Sequence, residues 1–396
     1  MPKQSDPDDK SGIAMVVALG VMSSFGPLSI DLYLPALPQV ARDLGVTADG
    51  VALTLTSCTL GLGVGQLIVG PLSDRWGRRR PLLAGIVLFT VFSLVCAVAQ
   101  TLPLLVAARF VQALGGSAGI VLARAVARDL RSGAELVRLF SLMLAVNGLA
   151  PVLAPVLGGQ LLRVVSWRYS FVALAVLGAL ILALVWRAVP ESLPPTRRRV
   201  GGLADALRTY RSLLSDLRFV GQVLTGAFAF ATLFAYISAA PFVLQDHYGF
   251  SAQLFSVVFG ANAVGLIVGT RCAAYVGLAR GLVLLTVGAV AVLLSGLTDA
   301  GLVLLLPGFF LVGTAFGMCI PTVSANAMQA HPLSAGAASA LLGATQFVVG
   351  GGVGPLAGRG ASDGPVFLGA VMTGLAVTAM ALGWASRDGQ QLAHRQ

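Results

Sequence analysis

The sequence predicts an all-α membrane protein: twelve transmembrane helices in two pseudo-symmetric six-helix bundles. Three observations carry that reading. The first is composition. Of 396 residues, 57% are hydrophobic and only 11% charged, against about 25% charged in a typical soluble protein. So few charges cannot cover an ordinary globular surface, and a disordered chain or a disulfide-rich secreted domain is excluded on the same ground. The second is spacing. Apolar runs of near-membrane length recur along the chain, and a hydrocarbon core of about 30 Å needs about 20 such residues per helix. The third is a weak internal repeat at an offset of about 200 residues.

Reading the runs between charge and turn clusters places helices near 12–36, 49–72, 80–99, 102–125, 136–160 and 167–188. Six more fall near 219–243, 251–276, 281–298, 301–325, 335–358 and 364–385. These are helices 1 to 12. The first bundle is therefore 12–188 and the second 219–385, joined by a cytoplasmic loop at 189–218, with cytoplasmic tails at 1–11 and 386–396. Helix 1 is too long for a signal peptide and lacks a convincing cleavage site.

The net charge of +10 points, in this setting, to the positive-inside rule and not to nucleic acid. With the N-terminus inside, only Arg42, Arg163, Arg168 and Arg359 of the 26 lysines and arginines reach the outer side, and Arg109 falls within a helix. Both termini are then cytoplasmic. Cys58, Cys96, Cys272 and Cys319 sit in apolar stretches and read as small packing residues. The three histidines are far apart and show no metal spacing.

The repeat is local but recognisable. Leu44-Gly45-Val46-Thr47 precedes a Gly-rich helix ending Gln66-Leu67-Ile68-Val69-Gly70. Tyr248-Gly249-Phe250-Ser251 precedes one ending Gly265-Leu266-Ile267-Val268-Gly269. Such duplication marks six-plus-six transporters.

Three blocks carry chemistry. Gly70-Pro71-Leu72-Ser73-Asp74-Arg75-Trp76-Gly77-Arg78-Arg79-Arg80 joins helices 2 and 3. Gly77 supplies a sharp turn and the arginines face the cytoplasm, but an inward-charge rule does not explain Asp74. Its equivalent in the second half, Gly269 to Gly277, is degenerate. The second block, Arg109-Phe110-Val111-Gln112, puts a charge in helix 4. An arginine at the centre of a span costs about 2.5–3.5 kcal/mol on insertion scales, so it needs a partner, a watered cavity or a snorkelling path. The third runs from Asn147 to Gly159 in helix 5. Pro151 and Pro155 free the carbonyls of Asn147 and Pro151, and Gly158 and Gly159 permit close helix contact.

Together these blocks resemble the proton-coupled drug-efflux branches of the major facilitator superfamily, and more closely the bicyclomycin-resistance (Bcr/CflA) family. The closer likeness rests on Ser29-Ile30-Asp31-Leu32-Tyr33-Leu34-Pro35, on Gly70 to Arg80, on Ala154 to Gly159, and on Ser166-Trp167-Arg168-Tyr169. Glu191-Ser192-Leu193-Pro194, Ser238-Ala239-Ala240-Pro241 and Ser324 with Asn326-Ala327-Met328 add to it. Ala154 stands where the efflux motif more usually has glycine.

The resemblance implies a multi-pass antiporter of the bacterial inner membrane. It would export hydrophobic drugs or antibiotics against inward proton flow, as a monomer in the lipid bilayer, with no cofactor and no nucleic-acid partner. Asp31 and Arg109 are the candidate proton-coupling pair, since both fall roughly 7–10 Å below the outer surface. Candidate drug contacts are Tyr33, Gln112, Asn147, Phe230, Phe234, Tyr236, Asn326 and Gln346. Phe230 and Phe234 share a helix face; Tyr236, two residues on, need not. The candidate conformational switch is Gly70, Asp74, Arg75, Gly77 and Arg78, with Pro151, Pro155, Gly158 and Gly159. Asp74 is expected to face the N-terminus of helix 11, where Ser334 offers a cap. An enzyme is not indicated, because no nucleophile–base pair or carboxylate pair appears. A nutrient transporter on the same fold is the alternative.

Overall fold

A computed structural model describes residues 10–198, 202–298 and 300–393. Lys3, Arg199, Arg395 and the extreme ends of both tails lie outside the described residues, as do the side chains of Lys10, Arg197 and Arg387. The chain is helical almost throughout, as the apolar runs require: backbone groups in hydrocarbon must be satisfied within the segment.

Most helices keep their expected places, with ends extended into the interface. Helix 2 is Ala48–Trp76, helix 3 Arg79–Val98, helix 4 Leu102–Leu130, helix 5 Gly133–Leu161 and helix 6 Arg168–Ala188. Helix 7 is Leu217–Phe242, continued by a π-helical turn at Val243–His247. Helices 10 and 11 are Leu302–Gln329 and Ala335–Gly358, and helix 12 is Pro365–Ala393. Helices 8 and 9 form one assigned segment, Ala252–Leu297, interrupted only at Gly277.

Helix 1 differs from the expected continuous run. It divides into Lys10–Ser23 and Phe25–Asp31, then passes through a 3-10 turn at Leu34–Ala36 into Leu37–Leu44. The segments before and after Ser24, Met15–Ser23 and Phe25–Leu44, meet at 52°. Proline is the physical reason for the turn: Pro35 and Pro38 cannot donate to the preceding ladder. The linker also differs. It holds an amphipathic helix, Gly202–Leu214, whose Tyr210 hydroxyl donates to the Leu67 carbonyl at 3.2 Å. A helix with one polar face lies along a surface and does not cross it. Helix 12 runs beyond 385, so part of the expected C-terminal tail is helical.

With helix 1 counted as one span and Ala252–Leu297 as two, the described residues hold twelve spans. The start of helix 1 at Lys10, the end of helix 12 at Ala393, the 2–3 loop and the linker helix then share one end of the bundle, the near end. Side chains facing outward from the spans are apolar, including Val98, Leu157, Leu180 and Val303, which fits a lipid surface.

The duplication is visible in the backbone. Gly77 turns helix 2 into helix 3 at φ 90°, ψ 165°, and Gly277 turns helix 8 into helix 9 at φ 74°, ψ 161°. The degenerate loop thus keeps the one residue whose left-handed φ the turn needs.

Close helix contacts rest on small residues. Gly61 of helix 2 lies against the Phe110 carbonyl of helix 4, and Gly269 of helix 8 against the Thr314 carbonyl of helix 10. A Cβ at either place meets rigid backbone, so Gly61→Val should destabilise by about 1–3 kcal/mol. The melting temperature of purified protein in detergent checks this. An unchanged value would mean that the helix 2–4 contact is loose.

Candidate functional site

The first cluster forms around Arg109, seven residues into helix 4. Its side chain is fully buried; it does not snorkel. Nη1 donates to Gln112 Oε1 at 2.7 Å, one turn on. Gln112 Nε2 donates to Ser93 Oγ of helix 3 at 2.7 Å. The guanidinium stands 5.3 Å from the Tyr33 ring and 5.4 Å from that of Phe171. Tyr33 in turn places its hydroxyl 3.3 Å from Thr54 Oγ1 of helix 2. Arg109 Nε and Nη2 have no partner. Gln112 and Tyr33 are thus both enclosed and committed to the arginine.

Asp31 ends the second piece of helix 1, where the helix breaks. It is buried. Among the described residues no ion pair joins it to Arg109. Matching depth did not make them partners, because the two side chains face different neighbours. Asp31 lies within electrostatic reach of Tyr236 in helix 7, across the junction of the halves. The Tyr236 hydroxyl accepts from Asn262 Nδ2 of helix 8 at 2.8 Å. Its ring lies 5.6 Å from Phe259 and 4.6 Å from Phe309. Sequence reasoning missed Asn262; its only signal was an amide in an otherwise apolar helix.

An aromatic group lines the second half. Phe230 is 5.8 Å from Phe234, 5.8 Å from Phe316 and 5.5 Å from Phe347. Phe234 is buried, while Phe230 is partly exposed. Gln346, also partly exposed, has an unpartnered Nε2. Asn147 donates to Ser23 Oγ at 2.6 Å and to the Met143 carbonyl at 3.0 Å. Asn326 stands apart from these, in a cavity at the near end with Asp216 and Gln222.

Helix 5 continues through Pro151 and Pro155 without a break. Beyond them Gly158 lies against the Leu32 carbonyl, at the break in helix 1, and Gly159 against Ser256 of helix 8. The Gly159 carbonyl accepts from Gln253 Nε2 at 2.7 Å. Nearby, Gln245 Nε2 donates to the Pro35 carbonyl at 3.2 Å, and Arg42 pairs with Asp246 at 3.3 Å. Helix 2 reaches helix 11 through Thr56 Oγ1, which donates to the Gly351 carbonyl at 2.6 Å. These contacts between halves gather toward the far end and close it.

The near end carries the 2–3 loop. Arg78 Nη1 bonds Asp74 and donates to Ser73 Oγ at 2.6 Å, and Nε meets Asp129 at the end of helix 4 at 3.1 Å. Arg75 is exposed and Gly70 loosely packed. Asp74 is therefore held by its own loop in this state. Ser334 precedes helix 11 without a side-chain cap bond. Glu191, beyond helix 6, completes the network. It accepts from the Arg78 and Arg79 backbone N–H groups at 2.8 and 3.3 Å, and from that of Leu193 at 3.0 Å. Its carboxylate occupies the space beside Gly77 that a Cβ would fill. Ser192 Oγ donates to Asp129 at 3.1 Å. Partial burial pushes the Glu191 carboxyl up, but three backbone N–H groups and Arg198 outweigh it and hold it below the usual range.

A lowered carboxyl contributes its tether above the unfolded value, about 4.3, and loses it as pH falls through the folded value. A spin label replacing exposed Trp76 should stay immobile from pH 8 to 5 and loosen below about 4. Glu191→Ala should loosen it at every pH. An immobile label in Glu191→Ala at neutral pH would remove Glu191 from this role.

The comparisons with known proteins agree with this architecture. The Major Facilitator Superfamily model matches residues 17–355. A Bacillus subtilis protein described as an uncharacterized MFS-type transporter, YdgK, is 40% identical over 363 residues, covering 89% of this chain and 90% of that one. A bicyclomycin resistance protein homolog of Haemophilus influenzae is 32% identical, covering 88% and 89%. The multidrug resistance protein MdtL of Escherichia coli is 27% identical, covering 81% and 82%. Among solved structures, an inward-facing bacterial homolog of the lysosomal transporter Spinster superposes at TM-score 0.74 with 15% identity, over 96% of this chain and 97% of the other. A D-xylose-proton symporter gives 0.74 at 16% identity, over 93% and 97%. Twelve helices in two bundles, closed at one end around buried charge, define a multi-pass membrane transporter. The chain belongs to the major facilitator superfamily.

Proposed function

We propose that this transporter exports hydrophobic drugs from the bacterial cytoplasm by drug:proton antiport. It works as a monomer in the inner membrane, with both termini cytoplasmic and no cofactor. The near end is then cytoplasmic, and closure of the far end makes this the inward-facing state.

The observation that carries the reading is Asp31: a buried carboxyl at the break of helix 1, without an ion-pair partner among the described residues, at the junction of the halves. A carboxyl there is desolvated when its surroundings close and hydrated when they open, so alternating access changes its proton affinity. Arg109 acts at a distance by holding Tyr33, two residues from Asp31, in place. The aromatic group around Phe230 offers a flat apolar surface suited to hydrophobic ligands. The relatives named for bicyclomycin and multidrug resistance support the same substrate class. In the reaction cycle, drug enters from the near end while Asp31 releases its proton. The halves rock, the far-end contacts part, and Asp31 reloads from outside as drug leaves.

Expression in an efflux-deficient bacterium should raise resistance to hydrophobic antibiotics. A deletion strain that grows poorly on a defined nutrient but keeps its drug resistance would favour a nutrient transporter instead. Phe230→Ala should lower resistance without lowering expression, read by immunoblot.

The proton step has its own measurement. Adding drug to detergent-solubilised protein should release protons from the wild type and not from Asp31→Asn, which should still bind drug. Arg109→Ala should lose export as well. Undiminished proton release from Asp31→Asn would place the proton site elsewhere.

A further inference from the structure

The linker helix, Gly202–Leu214, has an apolar face that only half belongs to the protein. It packs against helices 2, 7 and 11. Tyr210 and Leu213 are buried, whereas Leu203, Leu207 and Leu214 stand out, 46%, 59% and 52% exposed. Leu203, Leu207, Tyr210 and Leu214 are spaced four, three and four apart, which puts them on one helix face. One apolar stripe therefore runs from the bundle contact to an open surface.

Depth says what covers the open part. Helix 2 has 29 residues, about 43 Å at 1.5 Å each, which spans a bilayer with its headgroups. Tyr210 bonds the Leu67 carbonyl, nine residues or roughly 13 Å before the near end of that helix at Trp76. A headgroup layer is about 5–8 Å thick. The linker helix is therefore held at the boundary of headgroups and acyl chains, not below the membrane in water. There its uncovered leucines meet lipid, as do Ile68 of helix 2 and Leu217 at the start of helix 7, both exposed.

Charge says which lipid. The helix carries Asp205, Arg208 and Arg211. Asp205 and Arg208 pair at 3.2 Å and so answer each other. Arg211 is exposed and has no ion pair among the described residues. Four residues after Leu207 and three before Leu214, it borders the leucine face. A guanidinium at that edge bonds phosphate while its stem lies along the apolar chains. A zwitterionic lipid offers the same phosphate with a cation beside it, so Arg211 gains more from a lipid with net negative charge.

We propose that the linker helix docks on the near-end leaflet, with Leu203, Leu207 and Leu214 among the acyl chains and Arg211 on the phosphate of an anionic phospholipid. Interfacial helices hold by such a face, and an arginine near an anionic surface adds a factor of about five in affinity. The same helix touches helix 2 of the first half and helices 7 and 11 of the second. The lipid thus holds the piece of chain that lies across the joint between the halves.

The test uses the full-length protein in bilayers, with Cys272→Ser, the other three cysteines being buried. A bimane fluorophore is attached to Leu207→Cys or to Ser212→Cys, one on each face of the helix. Lipids brominated on their acyl chains should quench the first, and iodide in water the second. At Leu207, brominated phosphatidylglycerol should associate about fivefold better than brominated phosphatidylcholine. Arg211→Gln should abolish that preference and Arg211→Lys should restore it. Arg208→Gln should leave it, because Arg208 already answers Asp205. Quenching at Leu207 by iodide and not by brominated lipid would overturn the proposal and give the face to water, to a soluble partner or to the chain's own tails. Equal quenching by the two lipids, or a preference that survives Arg211→Gln, would overturn the assignment of Arg211 to an anionic lipid.

Discussion

A guanidinium buried in the first bundle organises much of that bundle around it. Arg109 is fully enclosed, and an arginine deep in a span is costly unless other groups replace its water. Five helices contribute to that replacement: Gln112 from its own helix 4, Ser93 from helix 3, Tyr33 from helix 1, Phe171 from helix 6, and Thr54 of helix 2 through the tyrosine. A cation over a desolvated aromatic face is worth about 2 kcal/mol, and two rings face this one. The arrangement leaves Nε and Nη2 unbonded, so the charge is only partly compensated. The bundle is held around a group that no single neighbour satisfies.

The second bundle repeats the geometry with the charge removed. Seven residues into helix 10, where helix 4 has Arg109, stands Phe309. It packs 4.6 Å from Tyr236, as Arg109 packs on Tyr33. Each tyrosine then bonds the second helix of its own half, through Thr54 or Asn262. The duplication has thus been kept in packing and divided in chemistry. The first half carries the buried cation and the acid of helix 1. The second offers an aromatic wall and neutral amides.

Much of this fold was legible because hydrocarbon leaves a chain few choices. Apolar run length gives the spans, and glycines at the turns give the repeat, even where the second loop had lost its charges and kept only Gly277. The signature loop was legible for the same reason: an acid beside arginines has no topogenic explanation. What was not legible is which way each side chain faces. Asp31 and Arg109 match in depth and are opposite in sign, yet depth says nothing of rotation about the helix axis, and Arg109 turned to Gln112. Tyr33 was expected at the drug and lies under the guanidinium. Asn326 was expected among the drug contacts, and helix 10 carries it to the near end, beside Asp216 and Gln222. Glu191 was visible only as part of a resemblance. Its role needed the folded loop, because a backbone N–H pair at the start of helix 3 leaves no mark in sequence.

The distribution of polar contacts says how the two halves can move. At the near end the network of Asp74, Arg78, Asp129, Glu191 and Ser192 lies within the first bundle and its linker. It stiffens one half without tying it to the other. The ties between halves lie toward the far end and are few: Arg42 to Asp246, Gln245 to Pro35, Gln253 to Gly159 and Thr56 to Gly351. Three of them end on backbone carbonyls, which water can serve equally well once the interface opens. The net contribution of each such bond is therefore only about 0.5–1.5 kcal/mol, and an exposed ion pair such as Arg42–Asp246 adds about 0–1. The polar part of the far-end contact thus rests on a sum of small terms, beside the close packing of Gly159 on Ser256 and Gly351 on Thr59. That is the physical condition for a transporter whose halves must exchange contacts reversibly: rigid within each bundle, weakly and replaceably bonded between them.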